Sequence, residues 1–278
     1  MEMLKQCERE NAIEKGYSFT KFFNNIEKPF LFVGLILMIL IINYQTFFRY
    51  GISTLLDLIA TPGFEQFFGG WMDTEILREN IKGAVGWGVW TEELARYVFI
   101  WISYLAVSIS ILTRGGIRVD VLHNRLSQRW QSVVWVMIDC CTLVLVFLFS
   151  YMGLDYVKMQ LAMPQITPAL QIGYYIPYLI LPIGFGLMSV RTLQTLWQQS
   201  RKMTLSDVVL GMALSVLLFL PVLLSEDWNA PLLLFGYFTF FLVLGVPIAF
   251  ALGLAGLTTV LGAGTLPVDY LAQIAFSS

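Results

Sequence analysis

The chain has 278 residues, 57% of them hydrophobic and only 13% charged, with a net charge of −2 and a mean hydropathy of +0.71. A soluble domain of that composition would expose far too much apolar surface, so the chain reads as an all-α, polytopic membrane helical bundle. Three cysteines without metal-type spacing and a single histidine exclude a bis-histidine haem and argue against a zinc site.

Residues 1–29 make a polar arm with Lys5, Arg9, Lys15, Lys21 and Lys28, and no small-residue cleavage site of the secretory kind precedes Phe30. A first span is expected from about Pro29 to Phe48, ending in Asn43, Gln45 and Arg49. Residues 50–90 follow as a long glycine-rich connection. Within it Asp73 to Ile81 suits a short surface helix, and Phe64, Phe67, Phe68 and Trp71 suit the membrane interface.

The second span is expected from about Leu94 to Leu112, and its mouth is Trp90-Thr-Glu-Glu-Leu-Ala-Arg-Tyr97. Glu92 and Arg96 are four apart and Glu93 and Arg96 three apart, so on a helix both carboxylates reach the guanidinium. Thr91 is positioned as an N-cap, and the acids fall where the helix dipole favours them. Charges near hydrocarbon are costly unless paired, which points to an ion-pair network; the alternative is a well-capped interfacial helix anchored by Trp90.

A basic loop with Arg114, Arg118, Arg125 and Arg129 leads to a third span, about Ser132 to Tyr151, in which Asp139 is the only acid well inside any span. The neighbouring Cys140 and Cys141 read as small core residues. A linker from Gly153 to Gly173, a fourth span from Tyr174 to about Leu196 and a fifth from Leu205 to Leu224 come next. The last apolar stretch, Pro231 to about Gly262, is too long for one straight crossing and is interrupted at Gly245-Val246-Pro247. Lys and Arg alternate between high and low density along the loops. That pattern places the N-terminus in the cytoplasm and the Glu92–Glu93 cluster on the outer face.

Catalysis lacks its residues. No span pairs a serine with a histidine, no second mid-span acid accompanies Asp139, and no glycine-rich phosphate loop is present. Asp139 is read either as a proton relay or as an acid paired with a hydroxyl or a neighbouring subunit. The Gly245–Pro247 break is read either as a discontinuity exposing main-chain groups to ions or as a proline kink in a packing helix.

These pieces resemble the small membrane subunit of the tripartite ATP-independent periplasmic (TRAP) transporters. The resemblance is carried by Phe48-Arg49-Tyr50 after the first span, Trp90-Thr-Glu-Glu-Leu-Ala-Arg-Tyr97 opening the second, and Arg114-Gly-Gly-Ile-Arg-Val-Asp120 closing it. Two features depart from the family: Gly116 stands where a histidine is usual, and the connection between Arg49 and Trp90 is longer. Leu244-Gly-Val-Pro-Ile-Ala-Phe-Ala-Leu-Gly253 looks like the start of the same system's large transport subunit, with the fifth span as the link between the two.

The resemblance divides the chain into a cytoplasmic arm (1–29), a small permease (30–200, with an outer-face insert at 50–90), a linking span (201–230) and a truncated beginning of a large permease (231–278). It implies a non-enzymatic role in the bacterial inner membrane, scaffolding sodium-driven uptake of an organic acid. The implied partners are a large permease subunit, a periplasmic substrate-binding protein and membrane lipid, with no nucleic acid. No cofactor is expected, since sodium would bind only in the complete large subunit. The scaffold residues so marked are Arg49, Trp90, Glu92, Glu93 and Arg96, with Arg114, Arg118 and Asp120 as a cytoplasmic loop motif. The competing reading is a membrane assembly or sensor protein whose outer loop binds a ligand.

Overall fold

The computed structural model describes residues 28–59, 89–119, 125–224 and 229–263, together with Ile76 and Glu79. Asp120 and most of the expected surface helix at 73–81 lie outside the described residues. The described chain is helical, apart from short connections and one antiparallel bridge between Ile166 and Gly173. Among the described residues, five helices are long and apolar enough to cross a membrane.

Helix α1, Lys28–Ile59, runs past the expected end at Phe48 and carries Arg49 within it. Its stretch Phe47–Gly51 is π-helical. Polar side chains explain the widening: Asn43 and Thr46 donate to the carbonyls of Ile39 and Ile42, and Ser53 and Thr54 both donate to Tyr50. These donors compete with main-chain N–H groups for the same acceptors, which opens the turn between them. Its side chains are mostly uncovered, Phe30, Phe32 and Leu40 among them, as a lipid-facing helix requires.

Helix α2 is Val89–Thr113. Because it begins before Thr91, that residue is not the expected N-cap but a buried side chain of the first turn. Helix α3, Gln128–Ala162, is 35 residues long and continues through Gly153, where a linker was expected. Tertiary packing outweighs the weak helix preference of that glycine. A Cβ there would lie 3.1 Å from the Pro182 nitrogen, so Gly153 is where α3 and the next helix meet backbone to backbone. Helix α4, Ile180–Ser200, follows a short turn at Tyr175–Tyr178, and helix α5 occupies Leu205–Leu224. Helices α6, Ala230–Val243, and α7, Ile248–Ala263, lie either side of the expected break. At 1.5 Å per residue they are about 21 and 24 Å long, each short of a hydrocarbon core of ~30 Å.

The described residues fall into two compact units, drawn from Met1–Ser103 with Gln165–Tyr174, and from Tyr104–Pro164 with Tyr175–Ser278. The first holds α1, the opening turns of α2 and the turn at 165–174. The second is organised on α3, whose Val134, Ile138, Cys141, Leu145 and Phe149 share a core with Phe241 and Val246 and with Ala251, Leu254 and Leu257 of α7. Val136, Leu196 and Val208 join α3, α4 and α5 in a second cluster. Helices α3, α6 and α7 therefore share one core within this unit.

Candidate functional site

The second unit gathers its charges where α2 ends and α3 begins. Helix α2 stops with the Arg114 N–H on the Ile111 carbonyl (3.2 Å) and the Gly115 N–H on Ser110 (3.1 Å). This pattern demands a left-handed residue, usually glycine, and here Arg114 takes it at φ 51°. The strained backbone aims the guanidinium inward. Arg114 Nη2 lies 3.3 Å from Asp139 Oδ2, donates also to the Gln199 side-chain oxygen, and its Cζ sits 4.0 Å from the Trp135 ring centre. Gln199 in turn donates to the Ser132 carbonyl (3.2 Å), tying α4 to α3. Arg118 covers the same indole at 4.7 Å.

Asp139 is 8% exposed, and it is paired both with a cation from the loop motif and with the Thr195 hydroxyl. Two candidates that the sequence left separate are one site. Burial lowers the Arg114 pKa from its ordinary value, Asp139 opposes that shift and Arg118 adds to it; a guanidinium starts so high that it keeps its charge. A cavity of about 50 Å³ adjoins the pair, lined by Thr142, Thr192, Asp139, Arg114 and Pro247 among others.

Pro247 brings the helix break to the same place. The Gly245 N–H bonds Leu242 and the Val246 N–H bonds Phe241, both at 3.0 Å, around Gly245 at φ 88°. This is a Schellman stop, with Val246 and Phe241 buried as its apolar clasp. Pro247 then opens α7 by accepting from Ala251 at 2.9 Å. The Ile248 N–H, left over by the new helix, donates to the Ile117 carbonyl at 3.1 Å. At the break the N–H groups of Leu244, Gly245, Val246 and Ile248 all donate within the chain, and proline has none to give.

In the first unit, the expected triad at the mouth of α2 is not assembled as one network. Arg96 lies 3.9 Å from Glu92, and both side chains are well exposed. Glu93 instead faces the turn at 165–174 and is buried. Its Oε2 accepts the N–H groups of Ala169 (2.9 Å) and Leu170 (2.8 Å), and its Oε1 accepts the Tyr97 hydroxyl (2.7 Å). The turn closes on itself through Thr167 N–H to Ile172 (2.8 Å) and Gln171 N–H to Thr167 (3.1 Å), like one turn of helix. Pro168 has no donor, so Ala169 and Leu170 carry the first free N–H groups of that turn, and one carboxylate satisfies both. Helical spacing favours Arg96 as a partner, but two main-chain dipoles desolvate less than a guanidinium would. Arg49 is exposed and, among the described residues, makes no ion pair with Glu92 or Glu93. Trp90 is 41% exposed.

Sequence reasoning missed Ser132, Trp135 and Gln199, and also Asp207. The signal was present for the first group: Ser132, Trp135, Asp139 and Thr142 recur at three and four residues, as do Thr192, Thr195 and Gln199. Asp207 receives Arg129 Nη2 at 2.6 Å and the Thr204 hydroxyl at 2.7 Å, joining the start of α5 to the start of α3. The four-residue stretch from Thr204 to Asp207 has the spacing of a capping box.

Comparison with known proteins agrees with this architecture. Residues 84–202 match the family model of the tripartite ATP-independent periplasmic transporters, DctQ component. The chain is also 47% identical, over 255 residues and 91% of its length, to the isethionate TRAP transporter permease protein DctMQ of Oleidesulfovibrio alaskensis. It spans 36% of that relative's length. The matched interval takes in α2, α3 and α4 and stops just before α5, and the similarity to the fused relative runs across most of the chain. This is a family of transporter permeases, not of enzymes. The chain is thus a multi-pass membrane protein that carries a DctQ-type component over residues 84–202 and is similar, across most of its length, to a TRAP transporter permease named DctMQ.

Proposed function

We propose that the chain scaffolds a TRAP-type secondary transporter that takes up a small organic acid, driven by sodium. In this reading residues 30–200 are the small permease, 201–230 the linking span and 231–278 the beginning of the large permease. The N-terminus is cytoplasmic, so Arg114 lies towards the cytoplasm and Glu93 towards the periplasm. The substrate is delivered by a periplasmic binding protein, and sodium is bound by the complete large permease. Isethionate or a similarly small organic anion is the proposed cargo, by analogy with the similar permease.

The observation that carries this reading is the shared core: Val134, Ile138, Cys141, Leu145 and Phe149 of α3 are buried together with Phe241 of α6 and with Ala251, Leu254 and Leu257 of α7. A scaffold that stays fixed while other helices move needs such a rigid seam, because packed interiors resist gradual deformation. The sites fit bracing better than transport. Asp139, the acid well inside a described span, is neutralised by Arg114. The test is co-purification with the remaining large-permease helices, then uptake of isethionate into proteoliposomes with and without a sodium gradient. Uptake that needs both the gradient and the binding protein is expected. Solute flux through this chain alone would overturn the scaffold assignment.

A further inference from the structure

We propose that the loop Arg114–Arg118 is the seat that fixes the first helix break of the large-permease part, and that Gly116 determines whether the seat fits. The inference rests on the reading of α6 and α7 as that part's beginning. The loop is held from below by the ion pair of Arg114 with Asp139, by Gln199 and by the Trp135 ring. Above, it offers the break two complementary features. The Ile117 carbonyl caps the Ile248 N–H, the donor that a restarting helix would leave unsatisfied. One residue earlier, the missing side chain of Gly116 makes room for Pro247. A Cβ at 116 would lie 3.1 Å from Pro247 Cβ and 3.3 Å from its Cγ, tighter than ordinary contact.

The two features work only together, since a side chain at 116 lifts the loop and draws the Ile117 carbonyl off Ile248. Two helix stops of the same hydrogen-bond pattern, one at Arg114 and one at Gly245, thus meet through a single acceptor and a single flat surface. Arg114 is the positioning residue. It accepts a left-handed backbone so that its side chain can anchor the loop while its neighbours stay small.

Hydrogen exchange of the full chain in detergent micelles reads the seat directly. The Ile248 amide should be protected, and Gly116→Val should speed its exchange about tenfold or more while Leu254 to Leu257 in α7 keep theirs. Gly116→Ala, which asks Pro247 to yield by only a little, should give a smaller rise at the same amide and serves if the valine variant does not fold. Gly236→Ala is the control, because a Cβ there meets nothing within 4 Å and should leave Ile248 unchanged. Equal Ile248 exchange in the parent and in both Gly116 variants would overturn the seat. Sodium-driven uptake by the complete permease is measured separately. Its absence alongside a clear exchange response would sink the transport reading and leave the seat standing.

Discussion

Glu93 and Asp139 are both carboxylates set into apolar helices, and the chain satisfies them in opposite ways. Glu93 is held by dipoles: two main-chain N–H groups of a distant turn and one tyrosine hydroxyl. Asp139 is held chiefly by a charge, the Arg114 guanidinium, itself covered by Trp135 and bonded to Gln199, with the Thr195 hydroxyl as a second partner. The difference lies in what fails when the acid is removed. Without Glu93 a turn loses its clasp, whereas without Asp139 a cation is left stranded in low dielectric. The first acid is a local fastener, and the second is one half of a pair that neither helix can keep alone.

The largest effect should therefore come from Asp139→Ala. Breaking a fully buried ion pair from one side typically costs about 3–5 kcal/mol; Arg114 keeps 30% of its side chain exposed and retains Gln199 and Trp135, which places this pair near about 3 kcal/mol. Thermal or denaturant unfolding of the purified chain in detergent should show a loss of that order. The double variant Arg114→Gly, Asp139→Asn should recover much of it, because glycine also relieves the left-handed backbone at 114. If the double variant is no better than Asp139→Ala, the pair is not what holds the site.

Glu93→Ala should cost less, about 2 kcal/mol, from two main-chain donors left without an acceptor on a partly exposed turn. The damage should be local, with faster exchange at Ala169 and Leu170 and earlier proteolysis within 165–174. Glu93→Gln keeps an acceptor oxygen and should lose only part of this. An equal loss from both substitutions would mean that charge, not hydrogen bonding, secures the turn, and the contrast with Asp139 would disappear.

How much of this was legible follows from the range of each interaction. Apolar runs revealed α5 end to end, because a span has to be apolar over its whole length. The Gly245-Val-Pro247 break was legible because glycine and proline act on their own backbone. Helix ends were less so: α3 continues through Gly153, where Pro182 packs on it, and α1 continues past Arg49 to Ile59. Partners in the site were legible only when near in sequence. Periodicity found Glu92 and Arg96, but the main-chain partners of Glu93 are 76 and 77 residues away and the side-chain partners of Arg114 are 25 and 85 away. No spacing rule reaches across such distances.

Between the buried acids and the surface stands Asp207, joined to Arg129 from the start of α3. Arg129 is 68% exposed, so Arg129→Ala should lower the unfolding midpoint less than Glu93→Ala does. Asp207→Ala should do somewhat more, because it also loses the Thr204 hydroxyl and a favourable place in the first turn of α5. A fall as large as that of Asp139→Ala would show that α5 is pinned mainly by this pair and not by its apolar contacts with Val136 and Leu196.

The smallest effect is expected where helical spacing pointed most directly. Glu92 and Arg96 are 3.9 Å apart with side chains 59% and 67% exposed, so solvent and salt screen most of their attraction. An exposed pair four residues apart on a helix contributes about 0.3–0.5 kcal/mol, close to the error of an unfolding midpoint. Glu92→Gln and Arg96→Gln should therefore leave stability and assembly nearly unchanged. Exchanging the two charges should do the same, with a slight further loss because an arginine then faces the positive end of the helix. The informative result is the opposite one. If each single substitution abolished assembly with the large-permease helices and the exchange restored it, the pair would be buried in the assembled transporter, and Glu92 would join Glu93 as a fastener of the complete scaffold.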